Sequence, residues 1–188
     1  LMAIIADDVQ RLDRLIGDIA DASRLDAELA RAETAPVDLE ALARTLVEIE
    51  RPHGTPEIDL NIAAARGDYV VPGLEGRLGQ VLRNLLDNAL SFSPADGVIG
   101  LGLQRRDEQV RLLVEDQGPG LPDEKLEAVF ERFYSERPQG EAFGRHSGLG
   151  LSISRQIVEA HGGTIWAENR RDAMGTVIGA RFVVELPR

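Results

Sequence analysis

Met2, Ile5, Val9, Leu12, Ile16 and Ile19 follow one another in alternating steps of three and four, the seam of a heptad helix. Leu1, Ile4, Leu15, Ala22 and Leu25 widen that stripe, which predicts a helix over 1–33 that faces more than one neighbour, as in a bundle or coiled coil. Pro36 closes the segment. A short strand over 37–39 then enters a helix over 39–50, with Leu39, Leu42, Leu46 and Ile49 on one face. Residues 51–56, with two prolines and a glycine, read as a loop. Residues 58–63 alternate as a strand, and 69–71 form a second, shorter one.

The strongest helical pattern spans 74–92, where Leu78, Val81, Leu82, Leu85, Leu86 and Ala89 share a side. Residues 98–105 and 109–115 alternate around Arg106-Asp107-Glu108 and predict a hairpin. Residues 126–130 read as helical, and the polar, glycine-bearing stretch 134–147 as a mobile loop. A helix over 149–161 closes at His161-Gly162-Gly163, and strands over 164–168 and 176–186 end the chain. The order of elements is α+β, with helices layered on one face of a largely antiparallel sheet.

Composition narrows the chemistry. The 188 residues are 43% hydrophobic, enough for one domain with a sizeable core and a remainder. The net charge of −11 repels phosphate backbones and argues against nonspecific nucleic-acid binding. A phosphate ligand must therefore be held locally, by backbone N–H groups, a metal ion or a few placed arginines. The absence of cysteine excludes disulfides, thiolate metal sites and a cysteine nucleophile. Lys125 is the single lysine and no P-loop glycines precede it, so a Walker-type nucleotide site is excluded. No apolar run approaches the ~20 residues of a membrane span, and no membrane contact is expected.

Four short segments carry candidate chemistry. Asn84 and Asn88 lie four apart on the 74–92 helix and share a face. An amide oxygen there suits one position on a Mg²⁺ that keeps water and phosphate ligands, although two plain surface asparagines would look the same. Asp116-Gln117-Gly118-Pro119-Gly120 follows a strand. Its carboxylate can accept from an amino group such as adenine N6, and its glycines let backbone approach a flat ring; an ordinary strand-ending turn fits equally. Phe130-Glu131-Arg132-Phe133-Tyr134 clusters aromatics in a chain with only 4% of them, as a core anchor for one end of the 134–147 loop. Gly144 to Leu151 opens the next helix with three glycines, where exposed N–H groups bind anions; a flexible helix start is the plainer alternative.

Taken together and in order, these segments resemble the N, first-glycine, F and second-glycine boxes of sensor histidine kinases. The resemblance extends over the whole chain and is strongest over 78–166, where Leu78 to Arg83 and Val158 to Gly163 look like the same family. It implies a two-layer α/β sandwich, the Bergerat-type ATP-binding fold, over 34–188, preceded at 1–33 by the second helix of a dimerisation and phosphotransfer hairpin. It further implies that Asp116 holds the adenine amino group, that Gly118 and Gly120 line the base pocket, and that Phe92 packs near the base. Asn88 becomes the Mg²⁺ ligand, and Asn84 supports the metal or the phosphates. Residues 121–147 become the ATP lid, and Gly148, Leu149 and Gly150 face the phosphates. Arg83, Arg132 and Arg145 come within reach of phosphate, ranked below the boxes.

The expected reaction is transfer of the γ-phosphoryl group of Mg-ATP to a histidine, for relay to a response regulator receiver domain. The resemblance also implies a homodimer through 1–33 and a cytoplasmic domain, in a family many of whose members are anchored in the inner membrane. Two departures stand out. Ser91 occupies a position where the family often carries a basic residue. None of His53, His146 and His161 has the acidic neighbour and helical setting of the family's phosphoacceptor, so no catalytic residue is assigned within this chain, which reads as a fragment. The alternatives are a docking or dimerisation module derived from such a domain, or another ATPase or serine kinase of the same fold.

Overall fold

The computed structural model describes residues 32–50, 56–62, 69–134 and 148–188. The helix expected over 1–33 lies outside them apart from residues 32 and 33, which are not helical; His53, Arg145 and His146 also lie outside. The described elements run β1 (Ala35–Asp38), α1 (Leu39–Glu50), β2 (Glu57–Ile62), β3 (Val70–Gly73), α2 (Glu75–Phe92), β4 (Val98–Arg106), β5 (Gln109–Glu115), α3 (Gly150–Ala160), β6 (Thr164–Arg171) and β7 (Val177–Pro187).

Five strands form one sheet in the order β2-β4-β5-β7-β6. All its neighbours are antiparallel except β2 and β4, which run parallel. The pleat puts alternate residues on one face. Leu101, Val114, Phe182 and Ala167 form one cross-strand row, and Leu103, Leu112, Val184 and Ile165 the next; all eight are buried. Against these rows α2 lays Leu78, Val81, Leu82, Leu85, Leu86 and Ala89, and α3 lays Ile153, Ile157 and Val158, in a single core. The 3.6-residue period of each helix meets the two-residue period of the sheet, and an α+β two-layer arrangement follows.

Several local devices set the elements. Asp38 Oδ1 accepts from the N–H groups of Glu40 at 2.9 Å and Ala41 at 3.2 Å, capping α1. Asp107 takes φ 46° in the tight turn between β4 and β5. His161 joins the starts and ends of two helices. Its Nδ1 donates to Ile157 O at 2.7 Å and its Nε2 accepts from Leu74 N–H at 3.0 Å, just before α2.

Two expectations are corrected, and one strand pairing is added. Residues 126–130 are not an α-helix: a single 3₁₀ turn, Ala128–Phe130, stands there, preceded by another at Asp123–Lys125. Tyr69 is a turn residue rather than a strand start, fully buried with its hydroxyl donating to Leu103 O at 3.2 Å. β1 and β3 pair with each other as a separate two-stranded ribbon.

Candidate functional site

The two asparagines and the aromatic at the end of α2, Asn84, Asn88 and Phe92, recur every four residues and so run down one side of the helix. About 12 Å separates the first from the last, and a glycine motif meets each end. At Phe92, a Cβ on Gly118 would stand 2.7 Å from the Phe92 carbonyl oxygen, so only glycine lets the loop after β5 lie against the helix. Ser93 Oγ accepts from Gln117 N–H at 3.3 Å on the same flank. At the other end, Asn84 Nδ2 donates to Gly150 O at 3.0 Å and to Ser154 Oγ at 3.2 Å.

Asp116 sits one residue beyond β5, only 4% exposed. Its Oδ1 accepts from Gly118 N–H at 2.9 Å and Ala180 N–H at 2.8 Å. Both side-chain hydrogen bonds from described residues thus go to one oxygen, leaving Oδ2 for another donor. Burial raises the carboxyl above its ordinary pKa, while the Ala180 and Gly118 amides and the Arg170 guanidinium pull it down. The backbone is fixed too: Asp116 N–H donates to Ala180 O at 3.0 Å, and Arg170 donates to Asp116 O at 2.7 Å.

The start of α3 offers a different chemistry. Among the described residues no side chain caps the helix at Leu149, and first-turn N–H groups at a helix start suit an anion. Leu149 itself is 2% exposed, which makes its side chain a core residue and limits any ligand contact to its backbone. Gly148 takes φ 71°, and a Cβ there would lie 2.9 Å from Tyr134 O. Its carbonyl accepts from Phe133 N–H at 3.0 Å. The two ends of segment 135–147 are thereby stitched together at the foot of the expected lid.

The aromatic cluster divides as its burial dictates. Phe130 is buried, edge-on to Phe182 with centroids 6.2 Å apart, and covered by the Arg155 guanidinium at 4.3 Å, which also pairs with Glu127. It is the anchor. Phe133 is 63% exposed at φ 65°. Arg132 and Arg83 are exposed, and no described contact draws either toward Asp116 or Gly150.

Asn88 is half-buried, and no described residue hydrogen-bonds its side chain. Among the described residues no three His, Asp or Glu gather into a metal cluster. A cation here would therefore take the Asn88 oxygen and complete its shell with phosphate and water, which fits Mg²⁺ rather than a metal that demands a full protein cage.

Four residues with a clear part in this architecture escape the motif reading: Asn169, Arg170, Gly179 and Ser154. Gly179 carried a signal, a glycine inside a strand, which marks a close backbone approach. A Cβ there would lie 2.0 Å from Asp116 O. The other three act through contacts between distant segments.

Residues 73–188 match the model of the histidine kinase-, DNA gyrase B- and HSP90-like ATPase family. Sensor protein ChvG of Agrobacterium fabrum is 50% identical over 195 residues, covering 100% of this chain and 33% of that protein. The chain thus spans about a third of the length of that curated relative. The structure of full-length ShkA in complex with AMPPNP aligns with TM-score 0.76 at 30% identity, over 94% of this chain and 35% of that one. Histidine kinase ThkA in complex with response regulator protein TrrA aligns with TM-score 0.71 at 29% identity, over 98% of this chain and 49% of that one. The chain belongs to the histidine kinase-, DNA gyrase B- and HSP90-like ATPase family, in the form of the catalytic domain of sensor histidine kinases.

Proposed function

We propose that this chain binds Mg-ATP between Asp116 and the start of α3 and presents the γ-phosphoryl group to a histidine that this chain does not contain, for relay to a response regulator. The observation that carries the reading is the Asp116 carboxylate, buried and held by two backbone amides on a single oxygen. An ionised carboxylate accepts only, so its second oxygen selects a donor such as the adenine amino group.

The base then lies beside Gly118 and Gly120 with Phe92 nearby, and the phosphates reach the uncapped start of α3 at Gly148, Leu149 and Gly150. Asn84 holds that helix start in place through Gly150 O. Asn88, between the two ends, is the residue that would hold Mg²⁺, which neutralises phosphate charge when bound. The protein's share of the chemistry is position and electrostatics. Arg145 in the lid segment is a further candidate phosphate contact. The nucleotide analogue in the ShkA structure and the response regulator in the ThkA structure support this reading. The heptad seam of 1–33 supports dimerisation through that helix in the longer protein.

Calorimetric titration with Mg-ATP, run beside Asp116→Asn, tests the proposal. Saturable binding that the substitution weakens about tenfold or more is expected. No binding to the unsubstituted chain at millimolar nucleotide would overturn it.

A further inference from the structure

Arg170 stands at the end of β6, in register with Gly179 of β7. Its guanidinium donates to Asp116 O at 2.7 Å, and among the described residues it is the only donor to that carbonyl. The approach is made possible by Gly179, whose φ of 146° and missing Cβ leave the space that Asp116 O occupies. Arg170 Nε also lies 3.5 Å from Glu115 Oε2, and the other oxygen of Glu115 accepts from Arg181 Nε at 2.5 Å. Arg181 in turn reaches Glu168 at 3.5 Å. The guanidinium is thus oriented by a chain of ion pairs across β5, β6 and β7, and its Nη1 is aimed at the backbone of the residue that reads the base.

We propose that Arg170 is a positioning residue for nucleotide selection: it holds the Asp116 carbonyl over Gly179, and so aims the free carboxylate oxygen of Asp116 at the base. The inference rests on the nucleotide reading of the pocket. A buried carbonyl without its donor rotates or recruits water, and either shift moves the carboxylate carried on the same residue. The positive charge also favours the ionised, accepting form of Asp116, against the effect of burial. Among the described residues the charged groups around Asp116 are Arg170 on β6, with Glu115 on β5, Arg181 on β7 and Glu168 on β6 arranged behind it. The nearest of them to the carboxylate's own backbone is Arg170.

The test uses the whole chain with Mg-ADP as probe, titrated across a pH series, for the unsubstituted protein, Arg170→Gln and Arg170→Lys. Trp166, on the same strand, reports by fluorescence whether the sheet is intact. Arg170→Gln is expected to bind about tenfold more weakly at neutral pH, and its loss of affinity on acidification begins at higher pH than in the unsubstituted chain. Arg170→Lys restores the position of that acid limb, because the charge is kept. It stays weaker across the whole range, because a flexible ammonium replaces a planar fork. Unsubstituted affinity and an unmoved acid limb in both variants would overturn the proposal. If Arg170→Gln does not fold, Arg170→Lys decides: affinity equal to the unsubstituted chain across the range would overturn it. Failure of the unsubstituted chain itself to bind Mg-ADP would instead sink the nucleotide reading, so the two failures are told apart.

Discussion

The carboxamide of Asn169 grips the backbone of Leu121 from both sides, its Oδ1 accepting from Leu121 N–H at 2.8 Å and its Nδ2 donating to Leu121 O at 2.7 Å. The same Nδ2 reaches Asp123 Oδ1 at 2.8 Å, and Arg171 donates to both oxygens of Asp123 at 2.8 and 2.7 Å. The end of β6 therefore latches the segment that follows the Asp116–Gly120 glycine motif, the root of the proposed lid. Gly120, at φ 76°, lets the chain turn into this grip, since a Cβ would stand 2.7 Å from Asn169 Oδ1.

Asn169→Ala is expected to unpair Leu121 and destabilise the chain by about 1–3 kcal/mol. Amide exchange of Leu121 should accelerate, and nucleotide affinity should fall with it. The latch also has a pH dependence. The Asn169 amide and then Arg171 hold the Asp123 carboxyl below its ordinary pKa, so its contribution is present above the ordinary carboxylate range and disappears as pH falls through the lowered value. Exchange at Leu121 measured down a pH series, after correction for intrinsic rates, should show protection declining only in acid. Protection unchanged by Asn169→Ala would refute the latch.

Two glycines of the β6–β7 region make a matched pair. Gly179 at φ 146° and Gly175 at φ 85° both occupy conformations that L residues avoid, but only Gly179 has a neighbour in the way. Gly175→Ala meets open space and should cost about 1–2 kcal/mol of backbone strain alone. Gly179→Ala must displace the Asp116 carbonyl, and a loss beyond about 3 kcal/mol is expected. Urea unfolding of the two variants measures the difference. Equal losses would show that close approach to Asp116 is not what requires the glycine.

The pattern of the chain makes α2 legible because two signals coincide on it. Its leucines and valines recur at helical spacing toward the core, and Asn84, Asn88 and Phe92 recur every four residues on another face. The sheet is equally readable, since β4 and β5 alternate, and β7 does so from Ala180 to Leu186 except that Val183 is buried as well. Leu126, Val129 and Phe130 mimic a helical face, yet the chain between Pro122 and Glu131 is too short and too tethered at Asp123 to make more than two 3₁₀ turns. The Asn169 latch and the Arg170 contact had no local signature at all. Each joins residues 48 or 54 apart in the chain, and periodicity carries no information on which distant segments meet.

Asp116→Asn separates stability from binding. Burial raises the Asp116 carboxyl in the fold, so the group favours folding fully below the ordinary carboxylate pKa, and that advantage is lost as pH rises through the raised value. At neutral pH the native state therefore carries a buried charge that an amide does not. Asparagine keeps an oxygen to accept from Gly118 and Ala180, so thermal unfolding at neutral pH should occur at the same or a higher temperature than in the unsubstituted chain. The gap should close in acid, where the carboxyl is protonated in both states. A lower unfolding temperature at neutral pH would mean that ionised Asp116 has a folding role beyond the hydrogen bonds seen here.

The contact between Asn84 and Gly150 yields a prediction that divides the pocket into its two ends. Asn84 Nδ2 donates to Gly150 O at 3.0 Å, and Ser154 Oγ donates to the same carbonyl at 2.8 Å. Removing the amide in Asn84→Ala still leaves that carbonyl bonded within α3, so the stability loss should stay at about 1 kcal/mol, the value of one hydrogen bond. Its effect on ligands should be larger at the phosphate end, because the start of α3 is no longer tied to α2. Asn84→Asp should be worse, since it removes the donor and sets a carboxylate against Gly150 O and beside the anion site. Adenosine, which lacks phosphates, should bind all three proteins alike through Asp116. ADP should bind in the order unsubstituted, Asn84→Ala, Asn84→Asp, with the last weaker by about tenfold or more. Parallel titrations with the two ligands read the split directly. An equal loss for adenosine and ADP would place the effect of Asn84 on the fold as a whole rather than on the helix start it holds.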